Sequence, residues 1–128
     1  MSALDFDNLE TYFLLVEVSY RWGVDPSSSL ESEQFFRDLL KKYKGPSSKE
    51  DVAKWFEIEI RHNFTALGER PRWIQEPEWP FAKGKPMVFA GQIDVSTKGN
   101  GVRFFHDDTS LYVCVSPDAA PTVIIQQF

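Results

Sequence analysis

The chain has few of the residues that form covalent or metal cross-links. Its 128 residues include a single cysteine, Cys114, and only two histidines, His62 and His106. One thiol excludes a disulfide within the chain, and one thiol with two imidazoles is too few for a cysteine-rich zinc site. We therefore expect no metal, no cofactor and a fold that is held together by packing.

Long apolar runs and an excess of positive charge are also missing. The longest apolar runs, such as residues 12–16, are far shorter than the roughly 20 residues that span a bilayer. The 19 Asp and Glu outnumber the 14 Lys and Arg, whereas sequence-independent binding to nucleic acid depends on basic side chains. Residues 1–7 lack the basic start of a secretory signal. We expect a cytoplasmic protein that binds neither membrane nor nucleic acid.

Sequence motifs for catalysis are scarce as well. There is no glycine-rich phosphate loop and no Gly-x-Ser-x-Gly turn. His106-Asp107-Asp108 is typical either of a metal cluster or of a turn, and a turn is favoured because adjacent residues rarely face one ion. Cys114 has no basic neighbour to activate it, which favours a core role, and His62 is favoured as a histidine at a helix end. We expect no enzyme and no catalytic residue, with a hydrolase based on His106 and an acid as a weaker alternative.

What the sequence does contain is an unusual share of aromatic residues, 15%, including 11 Phe and 4 Trp. Residues 1–67 have helical spacing, whereas six of the eight prolines and five of the seven glycines follow Leu67. This division predicts one α+β domain over residues 1–128. Its helical layer, residues 1–67, packs on a small antiparallel sheet formed after a Pro- and Trp-rich loop in residues 68–128.

Three helices are predicted in the first half. Asp7 with Glu10 forms a capping-box pattern before a first helix, for which a strand is the alternative. A second helix follows Ser27–Ser29, and a third begins at Ser47 or Ser48. The apolar positions expected to face the core are Leu9, Tyr12, Phe13, Val16 and Tyr20 in the first helix, Leu30, Phe35, Phe36, Leu39, Leu40 and Tyr43 in the second, and Val52, Trp55, Phe56, Ile60 and Phe64 in the third. Leu14, Leu15 and Val18 widen the apolar stripe of the first helix, so we expect it to be buried on more than one side.

The second half is predicted to be a loop followed by strands. Residues 70–86 contain Pro71, Pro77, Pro80 and Pro86, and this density excludes a continuous helix or a central strand. Strands are predicted at residues 86–95, 102–105, 111–116 and 122–128, with turns at 96–100, 106–108 and 117–121. Short strands that are so closely spaced favour an antiparallel meander.

Residues 67–128 resemble the C-terminal part of the YwqG-like family of bacterial proteins. The similarity lies in LGERPRWIQEPEWPFAKGKPMVFAGQIDV, FFHDD, LYVCVSP and the closing VIIQQF, and its positions include Gly68, Pro71, Trp73, Gln75, Trp79, Pro80, Gly84, Pro86, Phe89, Gln92, Ile93 and Gln126. The resemblance implies an α+β binding domain whose activity is poorly defined, and compact members occur as immunity proteins beside bacterial toxins. It implies no catalytic residue.

Two interpretations of the tryptophan-containing loop are open. Trp73 and Trp79 each combine a large apolar ring with one indole donor. They either seal one face of the sheet, which we favour, or contact a partner together with Gln75. Gln75 and Gln92 are favoured as side chains that satisfy amides of the loop rather than as ligand contacts.

The acidic helical half suggests the partner. A surface of one sign attracts a partner of the opposite sign and raises the association rate, although a solvated acidic surface without a partner is the alternative. We predict an immunity protein that binds and occludes a toxin through a basic contact surface, or alternatively a small-ligand or structural binding domain. The predicted contact residues are Glu10, Glu17, Asp38, Glu50, Glu57, Trp73, Gln75 and Trp79.

Overall fold

A computed structural model describes residues 4–95 and 108–127. Within these residues the chain forms helices α1 (Leu9–Tyr20), α2 (Leu30–Leu40) and α3 (Lys49–Asn63). They are followed by strands β1 (Phe81–Ala82), β2 (Lys85–Pro86), β3 (Val88–Val95), β4 (Thr109–Ser116) and β5 (Ala119–Gln127). The α+β class is confirmed. The predicted strand at 102–105, and His106 and Asp107, lie outside the described residues.

Short polar side chains cap the N-termini of the three helices. Ser29 caps α2 and Ser48 caps α3, where the serine hydroxyl accepts from the backbone N–H of Asp51. The start of α2 was predicted after residues 27–29 and that of α3 at Ser47 or Ser48, and the structure selects Ser48 for α3. The predicted cap of α1 is wrong by one residue. Asn8 accepts from the Thr11 N–H, while Asp7 forms a two-pronged ion pair with Arg37.

The buried face of α1 agrees with the prediction only in part. Leu15 and Val18, from the widened stripe, are buried. Leu9 and Phe13, which were expected in the core, are 66% and 63% exposed. Leu30 of α2 is exposed as well. The prediction failed in α1 because nearly every side of that helix is apolar, so that spacing alone could not select one face.

The strands form a hairpin and a separate sheet. Lys83 and Gly84 have φ values of 49° and 77°, the left-handed pair that a tight two-residue hairpin between β1 and β2 requires. Consequently the strand predicted to begin at Pro86 begins at Val88. β3, β4 and β5 form an antiparallel meander in that order, as predicted, and β5 starts at Ala119, within the segment predicted as a turn.

Aromatic side chains connect the helices to the sheet. Phe36 of α2 stacks on Phe64 with ring centres 5.6 Å apart, and Phe64 meets the edge of Trp79 at 5.5 Å. Trp79 contacts Phe89 of β3, which in turn contacts Tyr112 of β4. The aromatic content noted in the sequence therefore fills a core shared by both halves of the chain.

Candidate partner-binding surface

The exposed side of α1 carries large apolar side chains. Leu9 and Phe13 are one helical turn apart, and Tyr20, two turns further, is 44% exposed. Large apolar groups that gather in solvent on one helix are typical of interaction surfaces. We call Leu9, Glu10, Phe13, Glu17 and Tyr20 the α1 surface.

Two of the predicted acidic contacts lie beside this exposed ring. Glu10, Phe13 and Glu17 line a cleft of about 470 Å³, whose other wall includes Lys49 and Val52 of α3. Glu17 forms an ion pair with Arg21 at 3.2 Å, in which both side chains are more than half exposed. An exposed pair of this kind contributes little to stability. The carboxylates therefore stay accessible to a charged partner.

The other predicted acids lie elsewhere. Asp38 lines a larger cleft of about 780 Å³ between α2, α3 and the β1–β2 hairpin, and it accepts a hydrogen bond from Gln34. Glu50 is exposed and Glu57 is half-buried on α3, and neither lines the two clefts described. The structure thus brings Glu10 and Glu17 together with Phe13 but separates Asp38 from them.

The two tryptophans of the tryptophan loop (residues 70–80) pack against the fold. Trp79 is 2% exposed, and its indole N–H donates to the carbonyl oxygen of Met87 at 2.7 Å. Trp73 is half-buried, stacks on Tyr112 with ring centres 4.3 Å apart, and donates to the carbonyl oxygen of Gly23. This geometry favours the sealing interpretation, since the Trp79 ring is not available to a partner in this structure.

Glutamine side chains fix the backbone of the same loop. The oxygen of the Gln92 amide accepts from the N–H of Arg72, and its nitrogen donates to the Arg72 carbonyl. Gln126, which is 1% exposed, accepts from the N–H of Gln75 and donates to the carbonyl oxygen of Glu76. The role of Gln92 agrees with its prediction. The contacts of Gln126 were not predicted, because its local pattern shows only a polar residue at an inward position of an apolar strand.

An ionised carboxylate supports this arrangement from β3. Asp94 accepts hydrogen bonds from Ser110 and Gln92 and pairs with Arg72 at 3.2 Å. The hydrogen bond from Ser110, then that from Gln92, and the charge of Arg72 hold the pKa of Asp94 below its ordinary value. The hydrogen bonds and the ion pair among these four side chains satisfy their polar atoms and position the tryptophan loop.

The remaining candidates for chemistry lie apart. Cys114 is buried, and burial raises the pKa of its thiol to about 11, so that the nucleophilic thiolate is disfavoured. His62 is exposed in the last turn of α3. Among residues 4–95 and 108–127 no three His, Cys, Asp or Glu side chains are grouped as a metal site would require. The hydrolase alternative depends on His106, outside the described residues.

The helices α1, α2 and α3 have at most 15 residues each, and the described part of the chain contains no helix with the length and apolar character needed to cross a bilayer. The resemblance of residues 67–128 to the YwqG-like family stays a prediction. No family model, curated protein or solved structure matches the chain.

Proposed function

We propose that this protein is a non-enzymatic immunity protein, which neutralises a bacterial toxin by binding it and occluding its active site. The observation that carries the proposal is the α1 surface, where Phe13 is 63% exposed between the carboxylates of Glu10 and Glu17. A cytoplasmic location is part of this proposal.

The α1 surface has the composition of a protein contact. Aromatic side chains at the centre of an interface supply much of the binding energy, whereas charges at the rim set the orientation and the association rate. Here the apolar centre is Leu9 and Phe13, and the rim is acidic. The matching partner surface is an apolar recess that is bordered by Lys and Arg.

A basic border is what a toxin acting on nucleic acid or nucleotides would present. Its active site must hold phosphates, for which Lys and Arg are the usual groups. An acidic protein with a net charge of −5 is attracted to such a site over a distance of about a Debye length. Binding there would exclude the phosphate substrate without any chemistry by the inhibitor.

The test uses the products of the genes next to the gene for this protein. Each product is purified and its binding is measured by biolayer interferometry, and each is then expressed in cells with and without this protein. We expect one neighbour to be toxic alone, to bind, and to be harmless on co-expression. If none is toxic, or if the toxic one does not bind, the immunity proposal is wrong.

Two matched variants locate the contact. Phe13→Ala removes the exposed ring of α1 and is expected to weaken binding at least about tenfold. Leu30→Ala removes an even more exposed apolar side chain, 85% exposed on α2, and is expected to leave binding unchanged. Equal effects of the two variants would contradict the assignment of the α1 surface.

A second candidate function is the binding of a small ligand. The observation that favours it is the cleft of about 780 Å³ between α2, α3 and the hairpin, which combines Phe35, Leu39 and Val88 with polar side chains. Clefts of this size are typical of ligand sites. Binding of a metabolite that is blocked by Gln34→Trp, at an exposed position of this cleft, but not by Phe13→Ala would favour this function over the first.

A further inference from the structure

Arg61 in the last turn of α3 and Arg70 in the loop that follows have no acidic partner among the described residues. The guanidinium carbons of Arg61 and Arg70 lie 4.7 Å and 5.2 Å from the centre of the Trp22 ring. The described carboxylates form their ion pairs with Arg21, Arg37 and Arg72 instead. Two like charges near one ring repel each other, so an anion that contacts both guanidinium groups would stabilise this arrangement.

The pocket that these two arginines share has no acidic side chain among its described lining residues. A surface pocket of about 510 Å³ is lined by Trp22, Arg61, Arg70, His62 and Thr65, together with Ile58, Ala66 and Gly68. Among these described residues none is Asp or Glu, although the chain as a whole has a net charge of −5. Glu69, next to Arg70 in sequence, is paired with Arg72. The pocket is therefore a cationic site in an acidic protein.

Burial raises the free-energy cost of the positive charge on Arg70. Its guanidinium donates to the carbonyl oxygens of Trp22 and Phe64 at 2.8 and 2.6 Å, which are neutral acceptors. Burial, and secondly the charge of Arg61, lower the pKa of Arg70. Arg61 is exposed, and no described residue accepts a hydrogen bond from its guanidinium. The indole N–H of Trp22 is buried and has no acceptor among the described residues.

We propose that the pocket formed by Trp22, Arg61, His62, Thr65 and Arg70 binds a phosphate group. Arginine forks match the geometry of phosphate oxygens, and two arginines with a histidine suit a group that carries close to two negative charges at neutral pH. The Thr65 hydroxyl adds a neutral donor. This site is independent of the proposed toxin contact, because none of its residues belongs to the α1 surface.

Inorganic phosphate is the probe for the site. Binding to the full chain is measured by calorimetry at low ionic strength and by the NMR signal of the Trp22 indole N–H, assigned with Trp22→Phe. We expect saturable binding below about 20 mM phosphate and a shift of that signal. Arg61→Gln is expected to weaken binding at least about tenfold. Arg70 is not substituted, because its hydrogen bonds also hold the backbone.

The matched control is Arg72→Gln, which removes the same charge from a guanidinium that is already paired with Glu69 and Asp94. It is expected to change phosphate affinity less than about twofold. Circular dichroism verifies that both variants are folded. No binding up to about 20 mM phosphate, equal losses in Arg61→Gln and Arg72→Gln, or acetate binding as tightly as phosphate would each overturn the proposal.

Discussion

At the scale of single residues, Trp79 is the largest of the fully buried side chains in the described structure. Its ring contacts Phe64 and Phe89, and its indole N–H is satisfied by Met87. Trp79→Ala removes these contacts and leaves a cavity, so we expect a loss of about 3 to 5 kcal/mol in the free energy of unfolding. Urea denaturation followed by circular dichroism measures it. As a control, Phe13→Ala is expected to change stability by less than about 1 kcal/mol.

The thiol of Cys114 gives a second prediction. It is 1% exposed, and burial raises its pKa to about 11, so that both access and the thiolate fraction are low at pH 8. We expect a disulfide reagent to modify native Cys114 much more slowly than the same residue in urea. Rapid modification in the absence of denaturant would show that this part of the sheet opens readily.

Asp94 gives a prediction about pH. Hydrogen bonds from Ser110 and Gln92 lower its pKa in the folded chain below the ordinary 3.8. Ionised Asp94 therefore stabilises the folded state at pH values above 3.8. This contribution is lost as the pH falls through the lower pKa that Asp94 has in the folded chain. We expect the stability difference between the native chain and Asp94→Asn to be largest near neutral pH and to shrink below about pH 4. A difference that is constant from pH 7 to pH 3 would contradict this role.

At the scale of elements, the turn after α1 depends on one glycine. Gly23 has a φ of 79°, and a Cβ there would lie 3.3 Å from the Trp73 indole nitrogen and 3.4 Å from the Pro71 ring. Gly23→Ala combines a strained backbone with this crowding, and we expect it to cost roughly 1 to 3 kcal/mol. Gly68→Ala is the control, since a Cβ there meets no atom within 4 Å. Thermal melting of both variants provides the comparison.

Local signals in the sequence predicted the positions of the helices and strands better than they predicted which face of each is buried. The caps Ser29 and Ser48 depend on residues three positions away, so the starts of α2 and α3 could be predicted to within one or two residues. The exposure of Phe13 depends on which side of α1 meets α3. The contacts of Gln126 join residues about 50 positions apart. No local spacing encodes such partners, which is why the acidic contacts were not separated into different surfaces beforehand.

At the scale of the whole molecule, the negative charge predicts how a partner associates. With a basic partner, we expect the association rate to fall at least about tenfold from low to high salt, because salt screens exposed charges beyond a Debye length. Glu10→Lys reverses a charge on the α1 surface and is expected to lower that rate about threefold or more. Asp118→Lys makes the same change beside β5, and is expected to act more weakly. An association rate that does not change with salt would indicate that the partner does not contact these acidic side chains.

The hydrogen bonds of the tryptophan loop also constrain how the protein is made. Trp73 is tied to Gly23, which is synthesised early, whereas Gln75 is tied to Gln126, which is synthesised late. During translation the helices can form as they leave the ribosome, but the loop lacks its second anchor until Gln126 has emerged. Until then, β4 is not yet in its final place, and Tyr112 does not yet cover the rings of Trp73 and Phe89. We therefore expect the nascent chain to pass through a stage with exposed aromatic side chains, to which chaperones can bind.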